Sequence, residues 1–398
     1  MAENKLNILF LSSWYPNRIF PTLGNFVQRH AEAVALNSNV AALYVCSDSN
    51  CKQKFEVVES TINNVFTVNV YYKKVDHSFP LIASFQKLMR YIKGHFIGLK
   101  IINQKFKKID LVHHNILYPA GIIALYLKIV KKIPYIVTEN WTGYLPSDGA
   151  YKGFFRKIIT KKIANSANYL TPVSMDLQIA MKSHGFKSNY EIVPNVVDVE
   201  LFYPKKNKSI NVKPRIIHIS TLDDQQKNIS GILRSIKKLS ERNSNFELYI
   251  VGNNQGKGEL EQLASELGLL NKFVFFLGLK LKEELATLLR EADFFILFSN
   301  YENLPCVVIE SIASGIPVIA TNAGGTAEHV SAKLGIIIEP KDETTFVRSM
   351  EWMLTNYSTY DVSFLRKYAV DNFSNEKVGE QFNKIYLKIL NETDKRES

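Results

Sequence analysis

Short apolar runs separated by longer periodic stretches give this chain its pattern. In the first half, residues 6–11, 40–45, 65–71, 111–113, 135–138, 169–173 and 191–194 read as strands. Most are too continuously apolar to expose one face, as befits strands buried inside a parallel sheet. Between several of them lie helical periodicities, such as 26–36 and 120–130. A second series of strands, 215–220, 246–251, 273–276, 294–298, 318–320 and 335–338, begins after the polar stretch 205–213. Strand alternating with helix predicts parallel βαβ units. Two such series predict an α/β protein of two doubly wound, Rossmann-like domains joined near residues 194–213.

Composition supports that division. A chain of 398 residues, 46% apolar and 22% charged, is globular and too long for one ordinary core. Cys46, Cys51 and Cys306 have neither metal-ligand spacing nor an even disulfide framework, which fits a reducing cytosol. The first apolar run is too short for a secretory signal, and no stretch reaches the roughly 18 to 20 apolar residues of a spanning helix. The expected location is cytoplasmic, with peripheral contact at the inner membrane. Net charge is +11, and Lys and Arg outnumber Asp and Glu by 24 to 11 up to Asn195 but not beyond, where the count is 25 to 27. The excess therefore belongs to the first domain. No zinc-ligand set, basic heptad region or aromatic RNA-binding signature accompanies it, so nucleic acid is not an expected partner. Instead, segments 79–100 and 151–163 interleave Lys and Arg with large apolar residues. Both read as amphipathic helices with a cationic face, suited to an anionic membrane surface. An ordinary helix with a solvated basic face has the same pattern.

Candidate chemistry concentrates after the run Ala292-Asp-Phe-Phe-Ile-Leu-Phe298, where Glu302 and Glu310 stand eight positions apart. Ligands of open α/β sheets bind at the carboxyl ends of strands. Pro305 suits the first turn of a helix, which puts Glu302 in the loop and Glu310 between one and two turns into the helix. The amides of that opening turn, at Asn303, Leu304 and Cys306 around Pro305, are free to face an anion. Carboxylates for hydroxyls and amides for phosphates describe a nucleotide sugar. Residues 313–328 follow as helix end, tight turn, strand and a glycine loop. Asp223 and Asp224 are adjacent acids that a solvated turn explains, and no metal site is expected.

These blocks together resemble the family 4 glycosyltransferases of the two-domain GT-B fold. The signature Glu-x7-Glu, Gly-x-Pro-Val-Ile-Ala-Thr and Gly-Gly-x-x-Glu is carried by Glu302, Glu310, Gly315, Pro317, Thr321, Gly324, Gly325 and Glu328. The resemblance implies an acceptor-binding domain over 1–195 and a nucleotide-sugar domain over 196–367, facing a central cleft, with about 368–398 packing back on the first. It implies retaining transfer of a hexose-type unit from a UDP- or GDP-sugar, without cofactor. The acceptor would be a hydroxyl of a glycan or lipid-linked glycan in cell-surface polysaccharide or glycoconjugate synthesis.

Residue by residue, the resemblance places Glu310 on the ribose, Glu302 on the donor sugar and Lys227 on the diphosphate. Gly252 would lie near the nucleotide, Gly278 and Leu279 would hold the base through main-chain groups, and Gly24 would let the backbone approach the diphosphate. His113, His114, Asn115 and Trp141 would line the acceptor side. Three positions depart from the family. Thr221 stands where an arginine is usual, and Val196 where glycine is usual. Asn140 replaces a histidine, and its amide can bind a hydroxyl but cannot carry a proton. A degenerate, non-catalytic binding subunit and a nucleotide-sugar epimerase on the same fold are the alternatives.

Overall fold

The computed structural model describes residues 5–76, 78–206, 212–252 and 256–397. Part of the polar stretch 205–213 and the residues just after Gly252 lie outside these. The first sheet contains β1 (Asn7–Ser12), β2 (Asn39–Asp48), β3 (Phe55–Ile62), β4 (Val65–Lys73), β5 (Leu111–Asn115), β6 (Tyr135–Glu139), β7 (Tyr169–Pro172) and β8 (Asn189–Tyr190). Their order is β3-β4-β2-β1-β5-β6-β7-β8, parallel throughout except for the antiparallel β3/β4 pair. The hydrophobic pattern misses β3 because most of its side chains face solvent. It is an edge strand paired through a turn at Asn63 and Asn64, both at positive φ, as a tight hairpin requires. The strand expected over 191–194 is corrected to the two-residue β8. Beyond it Glu191 and Val193 still donate to the carbonyls of Leu170 and Pro172, at 3.1 and 3.2 Å, so the extended line continues without a full ladder.

The second sheet contains β9 (Arg215–Ile219), β10 (Glu247–Val251), β11 (Val274–Gly278), β12 (Phe294–Leu297), β13 (Val318–Thr321) and β14 (Gly335–Ile338), in the all-parallel order β11-β10-β9-β12-β13-β14. In each sheet the chain builds outward on one side of its first strand and then crosses to the other. The crossings fall between β1 and β5 and between β9 and β12. Crevices for ligands open at such reversals, beyond the carboxyl ends of the strands.

The last helix, Asn375–Glu397, returns to the first domain. Val378, Phe382, Ile385, Tyr386 and Ile389 share a buried cluster with Ile8, Phe10, Val27, Ala31 and Val34. Gly379 admits this approach, because a Cβ there would strike the Ala33 carbonyl oxygen. Helices Pro80–Phe106 and Phe154–Ser166 form over the two basic segments, and each buries only a few residues. Leu81, Phe85, Leu88 and Met89 of the first, and Phe154, Phe155 and Ile158 of the second, are exposed. Among the described residues no helix is long and apolar enough to cross a membrane.

Candidate active site in the interdomain cleft

β12 ends in a loop that carries Glu302, and the turn after β9 carries Lys227. Asn300 donates from its main chain to Gln226 O (2.7 Å) and from its side chain to Gln225 O (2.9 Å), tying loop to turn. Lys227 Nζ then donates to Glu302 Oε1, which also accepts from Ser299 Oγ at 2.8 Å. Both members of this ion pair are largely buried. Lys227 ends the short helical turn Asp224–Lys227, and the next residue, Asn228, in a left-handed conformation, caps helix Ile229–Ser240. Asp223 and Asp224 spend their carboxylates on the amides of Gln225 and Ser230. Among the described residues no cluster of His, Cys, Asp and Glu has a metal-binding arrangement. Thr221 is exposed beside this turn.

Glu310 sits on helix Cys306–Ala313, whose N-cap is Pro305. The amides of Asn303, Leu304 and Val307 donate to no described group, as expected of an opening turn, while that of Cys306 turns to its own sulfur. The Cys306 thiol lies inside this turn, and burial pushes it up to about 12, so it stays protonated. Glu310 Oε1 accepts from Arg29 Nη1 at 2.6 Å across the cleft. Sequence reasoning missed Arg29. Its one signal is an arginine in a helix whose neighbours Val27, His30 and Ala31 are buried. Arg29 thus brings a first-domain cation into the cleft, on the Glu310 carboxylate.

Further bonds cross the cleft. Asn303 Nδ2 donates to Asn140 O, Asn195 Nδ2 to Leu304 O (2.7 Å), and the amides of Met175 and Asp176 donate to the Glu328 carboxylate at 2.9 and 3.0 Å. Asn140 Nδ2, Asn195 Oδ1 and Asn303 Oδ1 are nonetheless buried without a hydrogen bond among the described residues. Buried polar atoms are normally paired. A hydroxyl-rich ligand would satisfy these. Behind Asn140, Glu139 is fully buried and accepts from the amides of Leu117, Asn140 and Trp141. Burial pushes its carboxyl up to about 7 against those bonds.

The structure corrects the acceptor-side assignment of the β5 residues. His113 is enclosed between Thr138 Oγ1 and Tyr386 OH, each at 2.6 Å, and burial drives its pKa well down. It belongs to the core beneath the last helix. His114 turns Nδ1 to Leu11 O, and Asn115 Nδ2 to His113 O, and both are buried as well. The glycines show other close approaches than those expected. Gly24, at φ 66°, would place a Cβ 2.6 Å from the Trp14 carbonyl, and a Cβ on Gly252 would strike the Ser220 carbonyl oxygen. Gly278, at φ 71°, has open space around it, and Leu279 is exposed. Trp141 remains at the cleft, its ring against Gly143 and Tyr144.

A family profile described as Glycosyltransferase Family 4 matches residues 23–201, and one described as Glycosyl transferases group 1 matches 201–368. The chain is 26% identical over 298 residues to the MMP alpha-(1->4)-mannosyltransferase of Mycolicibacterium hassiacum, over 73% of this chain and 68% of that protein. In further curated relatives the aligned segment takes in 52 to 69% of their length. Sucrose-phosphate synthase from Thermosynechococcus elongatus shares the fold at a TM-score of 0.76 and 19% identity, covering 97% of this chain and 99% of that one. Anabaena HepE, solved in complex with UDP and glucose, does so at 0.71 and 16%, covering 96% and 99%. The two profiles run from residue 23 to residue 368 and meet in the segment that joins the two domains, and the chain belongs to the family 4 glycosyltransferases of the GT-B fold.

Proposed function

We propose that the cleft transfers a sugar, with retention at the anomeric carbon, from a nucleoside diphosphate sugar to a hydroxyl of a lipid-linked glycan. The observation that carries this is the buried Lys227–Glu302 pair beside the unpaired amides of residues 303 and 304, with Glu310 on the helix that follows. Lys227 and the amides offset charge on the departing diphosphate, usually the largest single contribution to such catalysis. Glu302 and the free Nδ2 of Asn140 hold the donor sugar, and Glu310 takes the ribose hydroxyls. The bond from the anomeric carbon to the diphosphate oxygen breaks, the acceptor oxygen bonds that carbon on the same face, and its proton passes to the departing phosphate. Asn140 cannot take that proton. Glu139 is committed to three backbone amides. Cleft closure excludes water, which would compete as acceptor. The complex of HepE with UDP and glucose supports a UDP-sugar, with a GDP-sugar the alternative donor. The exposed apolar and basic helices of the first domain support an acceptor presented at an anionic membrane surface, in cell-surface glycan synthesis.

The test is thermal stabilisation by a panel of nucleoside diphosphates and their sugars. At a hundredfold excess over Kd a ligand contributes about 2.7 kcal/mol, a shift of several degrees. One base should stabilise selectively, and the shift should vanish in Glu310→Ala and Lys227→Ala. No shift with any nucleotide, in a folded protein, would overturn the donor site and favour a non-catalytic binding subunit.

A further inference from the structure

The first domain holds four arginines up to Asn195, and three have internal acceptors. Arg18 bonds Asp48 and Glu56, Arg29 bonds Glu310, and Arg90 bonds the Lys73 carbonyl. Arg156 donates to no group among the described residues, has no carboxylate within 4 Å there, and buries its Nε without a partner. It is nevertheless held in place. Its guanidinium carbon lies 4.2 Å from the centroid of the Trp141 ring and 5.7 Å from that of Tyr118. Trp141 follows Asn140 beyond β6, and Tyr118 follows β5, so the cation is fixed at the first-domain lip of the cleft. The nearby Glu139 carboxylate balances part of its charge but spends its oxygens on backbone amides.

What surrounds the guanidinium narrows the ligand. A guanidinium held over aromatic rings without an internal acceptor keeps N–H groups for an oxyanion, and a phosphate accepts two at once. Arg156 is the third residue of helix Phe154–Ser166, whose first turn has no acidic residue and no side-chain cap, so the helix terminus adds positive potential there. Phe154 and Phe155 beside it are 73% and 78% exposed, and Ile158 is exposed one turn on. An anion alone has no use for that apolar surface, and a neutral hydrocarbon has none for the cation.

We propose that Arg156 is the acceptor's anchor, binding the phosphate of an amphiphilic acceptor whose hydrocarbon chain lies along Phe154, Phe155 and Ile158. This rests on the transferase reading of the cleft. With the phosphate on Arg156, whose Trp141 platform is the chain neighbour of Asn140, the acceptor's sugar end points into the cleft while its chain leads out to the exposed helix.

Binding of geranyl diphosphate, geraniol, inorganic pyrophosphate and phosphatidylglycerol vesicles, measured calorimetrically and by tryptophan fluorescence, tests the proposal. The full chain should bind geranyl diphosphate at least tenfold more tightly than geraniol or pyrophosphate, with a fluorescence change that Trp141→Phe abolishes. Arg156→Gln should weaken geranyl diphosphate tenfold or more, and Arg156→Lys, which keeps the charge but not the planar fork, should fall between. Both variants should bind nucleoside diphosphate as the parent does, which also reports an intact fold. Equal affinity of parent and Arg156→Gln for geranyl diphosphate would overturn the anchor. Pyrophosphate binding as tightly would leave an adventitious anion site only. Loss of vesicle binding alone in Arg156→Gln would assign the cation to bilayer headgroups rather than to the acceptor. Absence of nucleotide binding by the parent, with the geranyl diphosphate result intact, would overturn the donor function and leave the anchor standing.

Discussion

A methyl group at residue 324 has nowhere to go. Gly324 has φ 56°, and a Cβ there would collide with the Glu302 carbonyl oxygen and stand 2.9 Å from that of Asn303. Its neighbour Gly325 faces Ser174 of the first domain in the same way, at 2.5 Å, and donates its amide to Asn303 O at 2.7 Å. The glycine pair is what lets the loop carrying Glu302 pack against the loop after β13. Gly324→Ala is therefore expected to cost about 2 kcal/mol or more, from backbone strain and the displaced loop together. Urea denaturation would read that loss, and calorimetry should find donor binding at least tenfold weaker. At this scale the sequence is uneven evidence. The glutamates and glycines stand in blocks that can be read directly, although the collision that demands glycine cannot. His113 was misplaced because adjacent strand residues face opposite sides of a sheet, and the chain that covers one of those sides lies 273 positions away at Tyr386. Arg29 left only the weak sign of an arginine among apolar helix neighbours, since its partner is 281 positions distant.

Among whole elements, legibility followed burial. Interior strands such as β12 appear as continuous apolar runs because both faces are covered, whereas β3, exposed at the edge, has no such run. Helix Cys306–Ala313 could be placed to within a residue because Pro305 marks its start and Gly315 its end. The resemblance implies one returning helix from about 368, whereas helix Val362–Phe373 ends at Ser374 and a separate helix, Asn375–Glu397, makes the return. Phe382 meets the His30 ring edge-on at 5.3 Å and lies 4.7 Å from that of His113. Phe382→Ala should destabilise the protein by about 3 to 5 kcal/mol. Tyr386→Phe, which leaves one nitrogen of His113 without its partner, should cost about 1 to 3 kcal/mol. Chemical denaturation followed by the near-ultraviolet signal would check both. A Phe382→Ala loss below 1 kcal/mol would mean that the helix is an appendage rather than part of the core.

Across the whole molecule, buried ionisable groups set the response to acid. His30, His95, His113, His114 and His218 all lie in the core, and burial pushes each below the usual imidazole range, four of them to about 4. Unfolded, they take up protons near pH 6.5. Between that pH and 4 the unfolded chain binds more protons, so stability falls as pH falls, by up to about 1.4 kcal/mol per pH unit for each group. Glu139 acts in the opposite sense. Its raised pKa keeps a proton in the folded state that the unfolded chain has already released, so its contribution declines as pH rises toward 7. The urea midpoint should therefore drop steeply from pH 6.5 to 4.5, and more steeply still in Glu139→Gln, where the opposing group is gone. A midpoint that ignores pH in this window would show that the imidazoles reach solvent. The returning helix has one more consequence, for the order in which the protein is made. Ile8, Phe10, Val27 and Ala31 leave the ribosome early, but the side chains that cover them, from Val378 to Ile389, come after the whole second domain. At about 5 to 20 residues per second, roughly seventeen to seventy seconds pass between the two. The domain synthesised first is the one completed last, and during synthesis its apolar flank stands open to chaperones.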